Sequence, residues 1–322
     1  MTPTQNDSGG VAVAAVPVNL NTMHFKARIR PYLIVAPALI VTIGIMIPFL
    51  MSIYYSLTNF DFRQPTYSFI GLRNWISMFT DQRFWHSVWV TVRYAFFSTG
   101  FALVLGLGVA MLLTSIDNAF SRILRVALIF PLMVAPVIST LIWNLMLNNS
   151  VGIIEKFLNL FGVYNFPWHA AHETAMMTAV MIDVWVNTPF VIVLVMAGIQ
   201  SLPKSPFESA KIDGGSAWFN FRKLTLPILK PYIYIALLFR LMASLQEFSI
   251  IFALTSGGPG NTLMNISITA RERGFRFYGL GESLTYVLFL WVVIFILAKQ
   301  IVKRWQIAQK TATGRAADEM EG

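Results

Sequence analysis

The sequence contains no cysteine. That excludes a disulfide framework, a thiolate metal site, a cysteine nucleophile and a lipid-anchored N-terminal cysteine. Charge is scarce too: Asp, Glu, Lys and Arg make up 12% of the 322 residues, roughly half the share in a soluble domain. No Gly-x-x-x-x-Gly-Lys-Ser/Thr occurs, so the usual phosphate loop for ATP hydrolysis is missing. Neither a Ser-His-Asp order nor a metal-binding motif stands out, which argues against a membrane enzyme.

Apolar residues are abundant instead, at 56% of the chain with a mean hydropathy of +0.62. Such a chain cannot cover itself with polar surface, so its solvent is largely lipid. A spanning helix needs about 20 apolar residues to cross about 30 Å. Six segments qualify, at 31–57, 87–115, 124–147, 174–200, 231–254 and 282–302. The fold class expected is therefore an all-α integral membrane protein with six transmembrane helices. The basic stretch His24–Arg30 precedes the first run, which is too long for a signal-peptide core and reads as an uncleaved span. Pro37, Pro48, Pro131, Pro136 and Pro189 fall within spans and mark expected kinks.

Net charge is +9, and its placement explains it. With the N-terminus inside, cytoplasmic segments hold 15 of the 24 Lys and Arg and outer loops hold 7, with Arg93 and Arg240 inside spans. The positive-inside rule puts both termini in the cytoplasm and leaves nothing to support nucleic-acid binding. The expected organisation is a cytoplasmic tail over 1–30, a transmembrane domain over 31–304 and a C-terminal tail over 305–322.

The most specific stretch lies between spans four and five. Ser205 and Glu208 have capping-box spacing, with Pro206 at the first helical position. Gly214 and Gly215 can end the helix in the left-handed conformation. Ser216 can cap a second helix lying along the membrane surface with Trp218, Phe219, Phe221 and Leu224, after which Pro227 and Pro231 turn the chain into span five.

Glu208-Ser209-Ala210, then Gly214, then Leu224-Thr225-Leu226-Pro227 resembles the EAA loop of ATP-binding-cassette (ABC) importer permeases. Ser209 stands where that pattern has Ala, and Leu224 where it has Ile. The resemblance covers about residues 31–304. Asp213-Gly214 and Thr255-Ser256-Gly257-Gly258-Pro259 are similar to the carbohydrate-importing, maltose-type branch. It implies a bacterial inner-membrane permease subunit forming half of an alternating-access pathway. A second permease, a dimer of ATP-binding subunits carrying ATP and Mg2+, and a periplasmic or extracellular solute-binding protein would be its partners. The chain itself would hold no cofactor. By this resemblance Glu208, Ala210, Asp213, Gly214, Leu226 and Pro227 belong to the loop that couples to the ATPase.

Ionisable groups at membrane depth usually face a cavity or a partner. Asp183 and Glu247 lie at similar depth, roughly 12–15 Å in at the helical rise. The resemblance carries sugar contact to Asp183, Asn187, Phe190, Gln246 and Glu247, although the acids stand where the maltose type has amides, which makes maltose itself an unlikely cargo. Arg240 and Glu247 are seven residues apart and expected on one helix face, and either could instead pair with Asp183 to neutralise charge. His169, His172 and Glu173 have a metal-like look but lack a third ligand at defined spacing. A gradient-driven transporter is the alternative, and it leaves the capped loop unexplained.

Overall fold

Backbone N–H and C=O groups have no water to bond in a bilayer, so spanning segments close their hydrogen bonds internally as helices. The computed structural model, which describes residues 20–116, 118–203 and 205–321, follows that rule. Its α-helices are α1 (Leu20–Ser56), α2 (Arg73–Thr80), α3 (Gln82–Ser115), α4 (Ala119–Ile129), α5 (Pro136–Met146), α6 (Ile153–Asn159) and α7 (His172–Gln200). They are followed by α8 (Ser205–Ile212), α9 (Ala217–Asn220), α10 (Leu226–Leu245), α11 (Ser249–Thr255), α12 (Ile266–Arg271) and α13 (Leu280–Glu321). Among the described residues the only β pairing is an isolated bridge between Thr58 and Phe69.

The chain divides into two units, the part up to Ser52 and the part from Ile53 onward. In the second, α3 and α7 make the most extensive packing, and α10 lies against α13, α3 and α7. Gly106 permits the α3–α7 approach, because a Cβ there would sit 2.5 Å from a methyl of Val191. Buried Val90, Tyr94, Ala179 and Ile182 from these two helices pack with Ile250 and Ile251 of α11 into one core. A second core joins Phe84 and Ala95 of α3 to Leu245 of α10 and to Tyr286 and Leu290 of α13.

Among the described residues five helices are long and apolar enough to cross a membrane, and a sixth span is counted if the bent pair α4–α5 is taken as one. Several expectations change in detail. Span three is not one helix: α4 and α5 meet at 103°. Pro131 opens a 3-10 turn over Phe130–Met133, and Val134 and Ala135 are extended (ψ 132° and 136°). The residue before a proline is driven out of the helical region by the ring, which here is Ala135 before Pro136. Span five is also interrupted, as α10 ends at Leu245 and α11 starts at Ser249.

At the other end of α10 the chain does not turn after a surface helix. Helix runs from Ala217 through a π segment (Phe221–Thr225) into α10, and Pro227 and Pro231 are both accommodated within it. Of the tail expected over 1–30, residues 1–19 lie outside the described residues and 20–30 belong to α1. Helix α13 continues past residue 304 to Glu321, so the C-terminal segment expected as a tail from 305 is helical to that point; Gly322 lies outside the described residues.

Candidate functional site

The acids and amides singled out in the spans separate into two settings. Asp183, on α7, is 0% exposed, and Arg240, on α10, is 2% exposed. The Arg240 guanidinium donates to the Asp183 carboxylate at 2.6 Å. The same guanidinium nitrogen donates to Ser98 Oγ of α3 at 2.6 Å, and the Ser98 hydroxyl donates to Asp183. Asn187, one turn along α7, donates its amide to the other Asp183 oxygen at 2.8 Å. Three helices thus converge on one neutralised charge pair. A second polar tie lies nearby, with Thr99 of α3 2.9 Å from Ser244 of α10.

The pair's net contribution to stability is small, since taking both charges out of water costs about what their attraction returns. Removing one partner is another matter, because the survivor is left buried and uncompensated. Of the two pairings open from the sequence, Arg240 makes the one with Asp183. Glu247 does not share a continuous helix with Arg240, since the break at 246–248 separates them.

The second setting is that break. Helical hydrogen bonding lapses between Leu245 and Ser249, and the groups released find other partners. Glu247 accepts from the Ile250 N–H at 2.7 Å and so caps α11. Its own carbonyl accepts from Asn265, and the Gln246 carbonyl accepts from Ser267 Oγ at 3.3 Å. The Asn265 side chain also accepts from the Ile268 N–H and starts α12. Irregular backbone at membrane depth is tolerated only where protein covers it or where it lines a polar cavity. Gln246 is exposed and Glu247 half-buried. Phe190 of α7 and Phe239 of α10 meet edge-to-face, ring centroids 5.9 Å apart, and half-buried Asn187 lies three residues before Phe190 on α7.

Ser98, Asn265 and Ser267 had not been singled out, and neither had Thr91, which accepts from the Ile266 N–H at 3.0 Å. A hydroxyl in an apolar run is the only sequence signal of Ser98 and Thr91, and Asn265 and Ser267 lie between the last two apolar runs without one. His172 is engaged by Thr262, with Nδ1 2.5 Å from the hydroxyl, rather than by the neighbouring His169 and Glu173. Burial lowers the pKa of His169 and favours its neutral form.

The loop between spans four and five is built from local signals. α8 is eight residues long and bears Glu208 in its first turn. Gly214 takes φ +73°, and the Gly215 N–H reaches back to the Ala210 carbonyl at 2.8 Å, the Schellman closure. Asp213 donates its N–H to Ser209 O at 3.0 Å. Ser216 then caps α9, accepting from Phe219 N–H at 3.2 Å. Glu208, Ser209 and Asp213 are exposed, as are Ile212 (87%) and Trp218 (66%). Leu226 and Pro227 are half-buried at the start of α10.

Residues 98–306 match the family model for the inner membrane component of binding-protein-dependent transport systems. The chain belongs to that family. The matched residues run from Ser98 to beyond Arg304, and so include the ion pair, the break and the capped loop. The permease is 34% identical over 293 residues to the trehalose/maltose transport system permease protein MalF of Thermococcus litoralis, covering 89% of this chain and 99% of that one. It is 31% identical over 277 residues to the sn-glycerol-3-phosphate transport system permease protein UgpA of Shigella flexneri, covering 85% and 92%. Its fold is shared with a chain of a bacterial ABC transporter involved in importing the acidic polysaccharide alginate. That match has a TM-score of 0.77 at 18% identity over 89% of this permease and 98% of the other chain. The protein is a multi-pass inner-membrane permease subunit of an ABC importer, and ATP hydrolysis belongs to a separate subunit. The gradient-driven alternative is not supported.

Proposed function

We propose that this permease forms half of an alternating-access pathway for a sugar or sugar-derived solute, with α8 as the helix that an ATPase subunit grips. The observation that carries this reading is the continuity of the chain from the loop to the break. Helix runs from Ala217 to Leu245, 29 residues, or about 43 Å at the helical rise, and Gln246 follows at its far end. A rigid rod of that kind converts a displacement of the capped loop into a displacement of the break. Packed helices move between discrete arrangements rather than deforming continuously, and the Asp183–Arg240 pair would keep α3, α7 and α10 moving as one body.

In this scheme Glu208, Ala210, Asp213 and Gly214 present the α8 end to the ATPase, while Leu226 and Pro227 anchor it to the rod. Both termini and α8 share the cytoplasmic side, in keeping with the distribution of Lys and Arg. Residues 31–304 act as the transport domain. A second permease completes the pathway, a pair of ATPase subunits holds ATP and Mg2+, and an external binding protein delivers the solute. This chain needs no cofactor of its own.

At the solute side Gln246 offers a free amide oxygen, Asn187 a half-buried amide and Phe190 an aromatic edge beside Phe239. Amides suit hydroxyl groups and aromatic faces suit the apolar side of a sugar ring. Asp183 and Glu247 would act indirectly, the first by neutralising Arg240 and holding Asn187, the second by capping α11. Relatives named for trehalose/maltose transport and for glycerol phosphate transport are consistent with a polyhydroxylated cargo. The test is uptake and ATP hydrolysis measured together on the reconstituted importer. Glu208→Ala is expected to leave hydrolysis running while uptake falls, and unchanged uptake per ATP would overturn the coupling role of α8.

A further inference from the structure

Between the start of α10 and the distal part of α13 there is a cleft of about 450 Å3. Four cations line it: Arg222 and Lys223 from the π segment, Lys230 from α10 and Arg304 from α13. No carboxylate lines it, and among the described residues none of the four cations forms an ion pair. Its remaining wall is apolar or amphipathic, with Ile228 and Tyr234 on the α10 side and Ile307 on the α13 side.

Four like charges held around one concavity repel each other, so the arrangement favours an anion that can sit among them. Their position narrows its chemistry. Lys230 and Tyr234 are one turn apart on α10 and share a face. Arg304 lies just past the apolar run of α13, and Ile307 follows on the same face. Tyrosine and the ends of apolar runs mark headgroup depth in a bilayer, and basic pockets between spans on the cytoplasmic side suit lipid phosphates. The polar half of the cleft therefore matches a phosphate and the apolar half the glycerol and acyl chains attached to it.

We infer that this cleft is a binding site for an anionic phospholipid of the inner leaflet, whose phosphate is held by Arg222, Lys223, Lys230 and Arg304. The lipid would brace the π segment, where the rod leaves the α8 loop. An acidic surface of the ATPase is the competing occupant, and the apolar wall at membrane depth favours lipid over it. The inference rests on membrane insertion and not on the assignment of solute or coupling helix.

The test uses the complete importer, extracted mildly from its native membrane and reconstituted in phosphatidylcholine nanodiscs with or without phosphatidylglycerol. Phosphatidylglycerol retained per chain is read by mass spectrometry, and thermal stability is read alongside. Neutralising R222Q, K223Q, K230Q and R304Q is expected to weaken retention about five-fold for each cation removed. R222K with R304K keeps the charge and is expected to keep most of the bound lipid, which separates loss of the site from misfolding. Equal retention by the neutralised chain would overturn the inference. So would stabilisation by inorganic phosphate, in phosphatidylcholine alone, that matches stabilisation by phosphatidylglycerol. Loss of the ATPase subunit from the neutralised chain with lipid retention intact would reassign the cleft to a protein contact.

Discussion

The α8 loop and the Asp183–Arg240 cluster are both built around charged residues, yet they are made in opposite ways. The loop is assembled within a dozen consecutive residues: a two-turn helix, a glycine at φ +73° and a serine cap. Its acids are exposed, and its integrity depends on backbone geometry. The cluster takes Ser98, Asp183, Asn187 and Arg240 from three helices. Its charges are buried, and its integrity depends on electrostatic balance. The region proposed to engage another subunit keeps its charges in water. A region that must hold helices together at membrane depth spends them on each other.

The largest effect is expected from breaking the cluster on one side. Asp183→Asn leaves Arg240 buried without a counter-charge, at a cost of about 3–5 kcal/mol. Recovery of folded importer from membranes should drop sharply. Replacing both members with apolar residues (Asp183→Leu with Arg240→Met) should restore most of that recovery, because no charge is then stranded. If the double variant folds no better than Asp183→Asn, charge balance is not what the cluster provides.

Next comes the close approach that keeps α3 against α7. Gly106→Ala places a methyl about where Val191 already stands and should destabilise the bundle by about 1–3 kcal/mol, read as a lower melting temperature in detergent. A smaller cost is expected in the loop. No side chain would obstruct a Cβ at Gly214, so Gly214→Ala costs only the left-handed backbone, about 1–2 kcal/mol. The bundle should melt as before while uptake per ATP declines. That contrast sharpens the comparison, since the milder substitution should do the greater harm to coupling.

The smallest effect is expected far from both regions. Asp61 is held to a pKa of about 2 by its hydrogen bond to the exposed Arg63 guanidinium. Whatever that pair contributes is present above the ordinary carboxylate pKa and lost as pH falls through about 2. The Arg63 side chain is 63% exposed, so water screens the pair, and Asp61→Asn should leave both melting temperature and uptake unchanged.

The same contrast governs how much could be read without coordinates. Gly214 and Ser216 were legible because caps are local: a glycine after two helical turns and a serine before the next have few alternative uses. Six apolar runs were legible by length alone. The 103° bend between α4 and α5 was only half legible, since Pro131 and Pro136 mark a place without fixing an angle. The break at Gln246 carries neither glycine nor proline. It exists because Asn265 and Ser267, some twenty residues later, accept the task of satisfying its carbonyls. The partner of Asp183 was likewise undetermined, because Arg240 and Glu247 stand seven residues apart and nothing local announces the break that separates them. π winding before Pro227 has no sequence signature at all, and with it went the expectation of a sharp turn into span five.

The most direct measurement compares Glu208→Ala and Asp183→Asn in the same reconstituted importer, recording assembled complex, ATP hydrolysis and solute uptake for each. The expected result is a fully assembled, ATP-hydrolysing Glu208→Ala complex that imports poorly, beside an Asp183→Asn chain that assembles poorly. An Asp183→Asn complex that assembles normally, or a Glu208→Ala complex that imports normally for each ATP consumed, would contradict the division between a buried structural pair and an exposed coupling helix.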